Sequence, residues 1–244
     1  MSVSERQKQI LEILNARTYI SVNELAKLTF TSASSIRRDL SYLQDNGMVK
    51  RLHGGVSLSE PINNVASFYD RAHKNVKGKR IIAQKAARLL KDGQSVLLDS
   101  STTVTFLLPF IAKLCGITLF TNNLTTALSA IELGINTNCL GGHSVNGSSS
   151  LSGPETFKAL SDITADIMFF SSQSLDASGN ISDSTQEENF TRKVMLSSSK
   201  TKVFLCDSEK FGTSTTYKLC TLEDIDYAVF DEEYKDLNTN CKLL

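Results

Sequence analysis

The 244-residue chain is poor in the residue types that build metal and disulfide sites. It has three histidines, and its five cysteines (Cys115, Cys139, Cys206, Cys220, Cys241) form no CxxC pair and no cysteine–histidine metal spacing. An odd number of scattered cysteines in mostly apolar surroundings excludes a disulfide framework. It predicts ordinary buried thiols in a reducing compartment. The sequence shows no secretory leader pattern and no apolar run long enough to cross a bilayer, so we expect a cytoplasmic protein without a membrane partner. No metal or cofactor is expected. Net charge is also lacking, with 26 Lys+Arg against 26 Asp+Glu. No general basic surplus advertises nucleic acid.

The charge that is absent overall is present locally. In "TSASSIRRDLSYLQDNG", Thr31 to Gly47, two arginines stand side by side in a segment that reads as a helix. Wound at 3.6 residues per turn, Ala33, Ile36, Leu40 and Leu43 share one narrow face. Ser34, Arg38 and Ser41 fall opposite, with Arg37 and Gln44 on a flank. Ser32 is suited to cap the start, with Ser34 and Ser35 just inside it, and Gly47 to stop the end. Upstream, "SERQKQILEILNAR" places Ile10, Leu11 and Leu14 at helical spacing after Ser4. "SVNELAKLTF" reads as a second short helix capped by Ser21, with Glu24 three residues on and Val22, Leu25 and Leu28 inward. Downstream, "MVKRLHGGVSL" reads as a β-hairpin wing carrying Lys50, Arg51 and His53. Three short helices and a wing predict a winged helix-turn-helix whose third helix enters the major groove of double-stranded DNA. The predicted DNA contacts are Ser34, Ser35, Arg37, Arg38, Ser41, Lys50, Arg51 and His53. A small polar face lets the helix approach base edges, whereas an arginine pair alone would fit a merely solvated surface.

The stretch "SLSEPINNVASF" is aperiodic and rich in Ser, Pro and Asn. We therefore expect a DNA-binding domain over 1–57, a linker over 58–74 and a larger domain over 75–244. The basic cluster "RAHKNVKGKR" reads as well as a solvated linker and first helix as it does as a second DNA contact. Beyond it, apolar strands ("QSVLLD", "ITLFTN", "NTNCLGG", "ADIMFFSS", "KVFLCD", "DYAVFD") alternate with helical segments. "VTFLLPFIA" carries Pro109 as a kink or an early boundary. That alternation predicts an α/β domain with a mostly parallel sheet covered on both faces. Such sheets bind ligands beyond the carboxyl ends of their strands. The residues there are Asp99, Ser100, Ser101, Thr102, Thr103, then Asn122, then Gly141 and Gly142, then Asp207 and Lys210. Hydroxyls and backbone amides leading into a helix suit a phosphate, Asp99 and Asn122 suit sugar hydroxyls, and Lys210 supplies a compact positive charge.

Together these residues resemble the DeoR family of bacterial transcriptional regulators. "SIRRDLSYLQDNGMVKRLHGGV" carries the match in the first domain. "DSSTT", "TNN", "LGG", "SGPE", "LDASGN" and "DSEKFG" carry it in the second. The resemblance implies a ribose-5-phosphate-isomerase-like sensing domain and a homo-oligomer, dimer or tetramer. It implies a repressor that binds double-stranded operator DNA at a sugar-catabolic operon and is relieved by a phosphorylated sugar. It also adds Glu188, at a position the family often fills with an acid. Ser101, Ser171 and Ser174 depart from the family's usual glycines, which predicts a narrower or altered pocket.

The competing reading is a sugar-phosphate isomerase or deaminase on the same α/β fold. Asp99, Asp176, Glu188 and Lys210 would supply an acid–base set. The acidic cluster and glycine-rich lysine loop that mark those isomerases are absent, and His143 has no obvious acidic neighbour. The N-terminal module also has no role in a plain isomerase. We therefore expect no enzyme.

Overall fold

The computed structural model of the chain describes residues 4–16, 19–52, 55–58, 68–237 and 239–244. The chain divides between Val65 and Ala66 into two compact units.

The first unit runs α1 (Glu5–Ala16), β1 (Ile20–Ser21), α2 (Val22–Leu28), α3 (Ala33–Asp45), β2 (Val49–Leu52) and β3 (Gly55–Leu58). Each helix starts on the serine expected to cap it. Ser4 and Gln7 cap reciprocally: the Ser4 amide donates to Gln7 Oε1 (2.9 Å) and the Gln7 amide to Ser4 Oγ (3.3 Å). Ser21 Oγ accepts from the Glu24 amide and Ser32 Oγ from the Ser35 amide, both at 3.2 Å. At the end of α3, Gly47 takes φ +70°, and the amides of Gly47 and Met48 return to the carbonyls of Gln44 and Leu43. This closes the helix with a Schellman turn. Ile10, Leu14, Leu25, Ile36, Leu40, Leu43, Val49 and Val56 make one core. Leu28, expected inward, is 40% exposed, because α2 ends at that residue and the chain turns away. The hairpin of β2 and β3 is joined by β1, which pairs with β3. A two-residue strand carries no readable alternation, so the third strand was not anticipated.

The second unit begins with α4 (Phe68–His73) and α5 (Val76–Ala86). A helix at Phe68–His73 departs from the expected linker over 58–74. Its anchor is tertiary: Lys79 Nζ donates to the carbonyls of Arg71 and, at 2.7 Å, Lys74. The unit continues through β4 (Ser95–Leu98), α6 (Leu108–Ile111), β5 (Thr118–Thr121), α7 (Leu124–Glu132), β6 (Asn136–Cys139), β7 (His143–Ser144), β8 (Leu151–Ser152) and α8 (Pro154–Ser161). Then come β9 (Ala165–Phe170), β10 (Ser174–Leu175), β11 (Asn180–Asp183), α9 (Gln186–Ser197), β12 (Ser199–Cys206), β13 (Tyr217–Thr221), β14 (Tyr227–Phe230) and β15 (Lys242–Leu243). Pro109 sits in the first turn of α6, where its missing N–H costs nothing.

Among the described residues, seven parallel strands form the main sheet in the order β15-β14-β12-β9-β4-β5-β6. Alternate residues feed two cores. Val96, Leu98, Ile167, Phe169, Val203 and Leu205 face α5 and the Val104–Ile111 segment. Leu97, Met168, Phe170, Phe204 and Cys206 pack with Leu160 of α8 and Met195 of α9. Burial on both faces is why these strands read as unbroken apolar runs. The register aligns the strand ends, with Leu98 beside Thr121 and Phe169, Phe204 beside Phe170, and Cys206 beside Phe230. The loops that follow therefore open on one edge of the sheet.

Candidate functional site

In the first unit, Ser34, Arg37, Arg38, Lys50 and Arg51 are exposed, and Ser35 and Ser41 are half-buried. Asp39 follows the arginine pair in sequence but turns inward. It is buried, and its carboxylate accepts from Arg6 Nε and Nη2 of α1, with Gln7 Nε2 at 3.4 Å. The acid next to Arg37 and Arg38 in sequence thus pins α3 to α1, and the arginines face solvent uncompensated by it. Ser34 and Ser35 serve the cap as well as the surface, their hydroxyls lying 2.9 and 3.0 Å from Ser32 Oγ. Ser41 Oγ donates to the Arg37 carbonyl (3.0 Å), and Arg51 Nη1 from the wing reaches Ser41 Oγ at 3.4 Å. Wing and helix therefore present one continuous basic edge. His53 lies outside the described residues. In the turn before α3, Phe30 takes φ +50° and is 98% exposed, a strained and unburied aromatic that sequence reasoning passed over.

In the second unit, the strand-end residue Asp99 meets a guanidinium that was not anticipated. Arg192 of α9 is buried. Its Nε donates to Asp99 Oδ2 (2.8 Å) and its Nη1 to Asp183 Oδ2 (2.9 Å), with Glu188 Oε2 3.6 Å from Nη2. Burial works against the charge, but Asp183, Asp99 and Glu188 more than offset it and raise the guanidinium pKa. Asp99, expected to meet sugar hydroxyls, is instead saturated. Its Oδ1 accepts from the Ser101 amide (3.0 Å) and hydroxyl (2.6 Å), and its Oδ2 also lies 3.4 Å from the Ser171 amide. A buried carboxylate needs such partners, and they leave it none for a ligand.

The other expected residues are less committed. Ser100, Thr102 and Thr103 are buried at the same edge, and their hydroxyls take no protein partner among the described residues. Asn122 donates from Nδ2 to the Leu151 carbonyl (2.8 Å), while its buried Oδ1 accepts nothing. Burial pushes the Glu188 carboxyl pKa up against the opposing pull of Arg192, and Glu188 Oε2 makes no hydrogen bond. Lys210 Nζ lies 3.0 Å from Ser171 Oγ and 3.2 Å from Asp207 Oδ2.

Gly141 and Gly142 have a packing reason as well. The Gly141 carbonyl accepts from Thr156 Oγ1, and Gly142, at φ +125°, leaves no space for a Cβ against the Ser152 backbone. The three serines at usual glycine positions are knitted into the scaffold: Ser101 to Asp99, Ser171 to Lys210, and Ser174 to Ser182 Oγ (2.8 Å) and Thr215 Oγ1 (2.9 Å).

Two residues of the isomerase reading change character. Asp176 holds a turn, accepting from the amides of Ser178 and Asn180 at 2.9 Å. His143 does have an acidic partner: its Nε2 is 2.6 Å from Glu187 Oε1, at an exposed position. The basic cluster before the sheet contributes Lys79, which is buried; burial and then the like charge of Lys210 lower its pKa to about 8. Arg192 was legible in principle, as the one basic residue on the buried face of α9.

Comparison with known proteins agrees with both halves. Residues 6–61 match the family model of the DeoR-like helix-turn-helix domain, and residues 74–232 that of the DeoR C terminal sensor domain. The chain is 32% identical to the HTH-type transcriptional regulator GolR of Listeria innocua over 233 residues, covering 94% of this chain and 91% of that one. It is 28% identical to a putative aga operon transcriptional repressor of Escherichia coli O157:H7, with 94% and 86% covered. It is also 28% identical to a lactose phosphotransferase system repressor of Staphylococcus epidermidis, with 95% and 93% covered. Among solved structures, a ribose 5-phosphate isomerase from Plasmodium falciparum has a TM-score of 0.40 and 22% identity, covering 55% of this chain and 52% of that one. A likeness at that level supports no inference.

Proposed function

The chain belongs to the DeoR family of transcriptional regulators, and on that premise we propose that it is a cytoplasmic repressor of a sugar-catabolic operon, released from its operator by a phosphorylated sugar. The observation that carries the DNA half is the exposed Arg37–Arg38 pair on α3, with Asp39 turned away to Arg6. Arg38 reads base edges in the major groove, and Lys50 and Arg51 of the wing meet phosphates. Names of relatives that are repressors of an aga operon and of a lactose phosphotransferase system favour repression, with a sugar as the signal.

The effector binds at the strand ends. The unpartnered hydroxyls of Ser100, Thr102 and Thr103 take its phosphate beside Lys210, and Asn122 Oδ1 and Glu188 meet its hydroxyls. The protein acts as a homo-oligomer, which gives two recognition helices for two half-sites. Exposed Leu124, Leu128 and Ile131, at helical spacing on α7, suit contact with a second copy. Effector binding shifts the DNA-bound arrangement only through a difference in affinity between two states.

The isomerase reading needs a mobile carboxylate base. Asp99 is held by Arg192 and Ser101, and Asp176 by its own turn, which favours a regulator over a catalyst. The direct test is DNA binding by Arg38→Ala and Lys50→Ala. Arg38→Ala is expected to cost about 1–3 kcal/mol on a specific site and to relax its preference. Lys50→Ala is expected to weaken specific and non-specific binding alike and to lower the salt slope by about 1. Intact binding by a folded Arg37→Ala/Arg38→Ala variant would remove α3 as the recognition helix.

A further inference from the structure

The charged residues of this chain avoid one border of the second unit. Between Lys113 and Glu155 the only Asp, Glu, Lys or Arg is Glu132, although 21% of the chain is charged. That stretch builds β5, α7, β6, β7 and β8. The centre of a protein–protein contact is depleted of charge in the same way.

The outward face of α7 is apolar. Leu124, Leu128 and Ile131 are 50, 59 and 58% exposed, and their spacings of four and three make one stripe along the helix. Thr126, Ala127 and Ala130, on the other face, are buried. The unit's own core uses that second face, and the stripe stays half or more in solvent.

β6 lies beside the stripe. α7 packs against β6, which is the last strand of the main sheet and pairs, among the described residues, with β5 alone. Its outer edge therefore offers backbone donors and acceptors to a further strand. Asn136, Asn138 and Cys139 are exposed, and Thr137 is half-buried. Such edges are usually blunted by lysine, by proline or by shortness. The opposite edge of the sheet follows that rule, since β15 has two residues and one of them is Lys242. β6 has four residues and neither charge nor proline.

These features favour a second copy of the chain as the occupant. A contact about a two-fold axis brings the same patch of both copies together, so a charged face repels itself and a charge-free face does not. An open strand edge is also complementary to itself. Turned about the axis, it becomes the antiparallel partner whose donors meet its acceptors. A partner of different sequence would need no such self-complementarity.

We propose that β6 pairs antiparallel with β6 of a second copy and joins the two main sheets into one, while the Leu124–Leu128–Ile131 stripe packs on the same stripe of that copy. This rests on the reading of the protein as a homo-oligomer and names the surface through which it assembles.

The test is the molar mass of the full-length protein at micromolar concentration, by sedimentation or light scattering. Leu128→Lys/Ile131→Lys alters the stripe and Asn136→Lys/Asn138→Lys the edge, both at exposed positions. Each variant is expected to melt cooperatively and to fall to half the wild-type mass. Like charges then face each other across the axis, which weakens association roughly a hundredfold or more. Mixing Leu128→Lys/Ile131→Lys with Leu128→Glu/Ile131→Glu is expected to restore the wild-type mass, which a merely misfolded variant would not do. A monomeric wild type would overturn the proposal together with the oligomer reading. Oligomeric wild type with folded variants of unchanged mass would leave that reading standing and move the contact off this border. If only the stripe variant loses mass, the sheets do not join. If the lysine and glutamate variants stay apart when mixed, the face does not meet its own copy.

Discussion

Phe30 and Lys79 show how single residues in this chain hold conformations or charges that their surroundings resist. Phe30 sits at φ +50° with its ring almost wholly in solvent, so it carries backbone strain without gaining burial. Glycine takes that conformation freely. Phe30→Gly is therefore expected to raise the stability of the first unit by about 0.5–1 kcal/mol, read from the urea midpoint. A loss of stability would mean that the ring makes contacts of its own.

Lys79 is strained in charge instead. Its ordinary pKa of 10.5 falls to about 8 in the folded chain, through burial and then the charge of Lys210. Between those values the unfolded chain binds more protons than the folded one, so this group's contribution makes stability rise with pH. The penalty is fully present below pH 8 and is gone above 10.5. Relative to Lys79→Met, wild type is expected to gain stability from pH 7.5 to 10. A flat difference across that window would show that the amine titrates normally.

At the scale of elements, the turn between β6 and β7 is the least tolerant point near the site. A methyl group on Gly142 would press on the Ser152 backbone and on Thr156 Oγ1, in a conformation already closed to other residues. Gly142→Ala is expected to destabilise the protein by about 2 kcal/mol or more, measured by thermal or chemical unfolding.

The elements themselves were largely legible in the sequence. α3 announced its cap, apolar stripe and glycine stop, and the central strands announced double burial by their unbroken apolar runs. Short pieces were not legible. β1, β7, β8, β10 and β15 have two residues each, too few to show a period, and α4 depends on Lys79 from a later helix. The site was half legible. Strand-end position identified Asp99, Asn122 and Lys210, but position does not say which groups are already satisfied. Asp99 turned out to be held by Arg192, which comes from a distant helix and meets it only in three dimensions. The pairing of Asp39 with Arg6 was equally out of reach of local pattern, because the two lie 33 residues apart.

At the scale of the whole molecule, a basic reading helix in one unit answers to a proposed effector site in the other. Family membership supports a DNA-binding unit and a sensor unit; the effector site and its link to DNA binding are proposed. The link is a coupling free energy, typically about 1–3 kcal/mol, or a 5- to 150-fold change in DNA affinity. The most direct measurement is a titration of selected operator DNA by wild type and by Thr102→Val/Thr103→Val, with and without a sugar phosphate that raises the wild-type melting temperature. The double variant keeps the approximate shape of the loop after β4 and removes two hydroxyls. The account predicts that the sugar phosphate weakens DNA binding by wild type within that range, while the variant binds DNA normally and ignores it. Equal weakening in both proteins, or none in wild type, would contradict it.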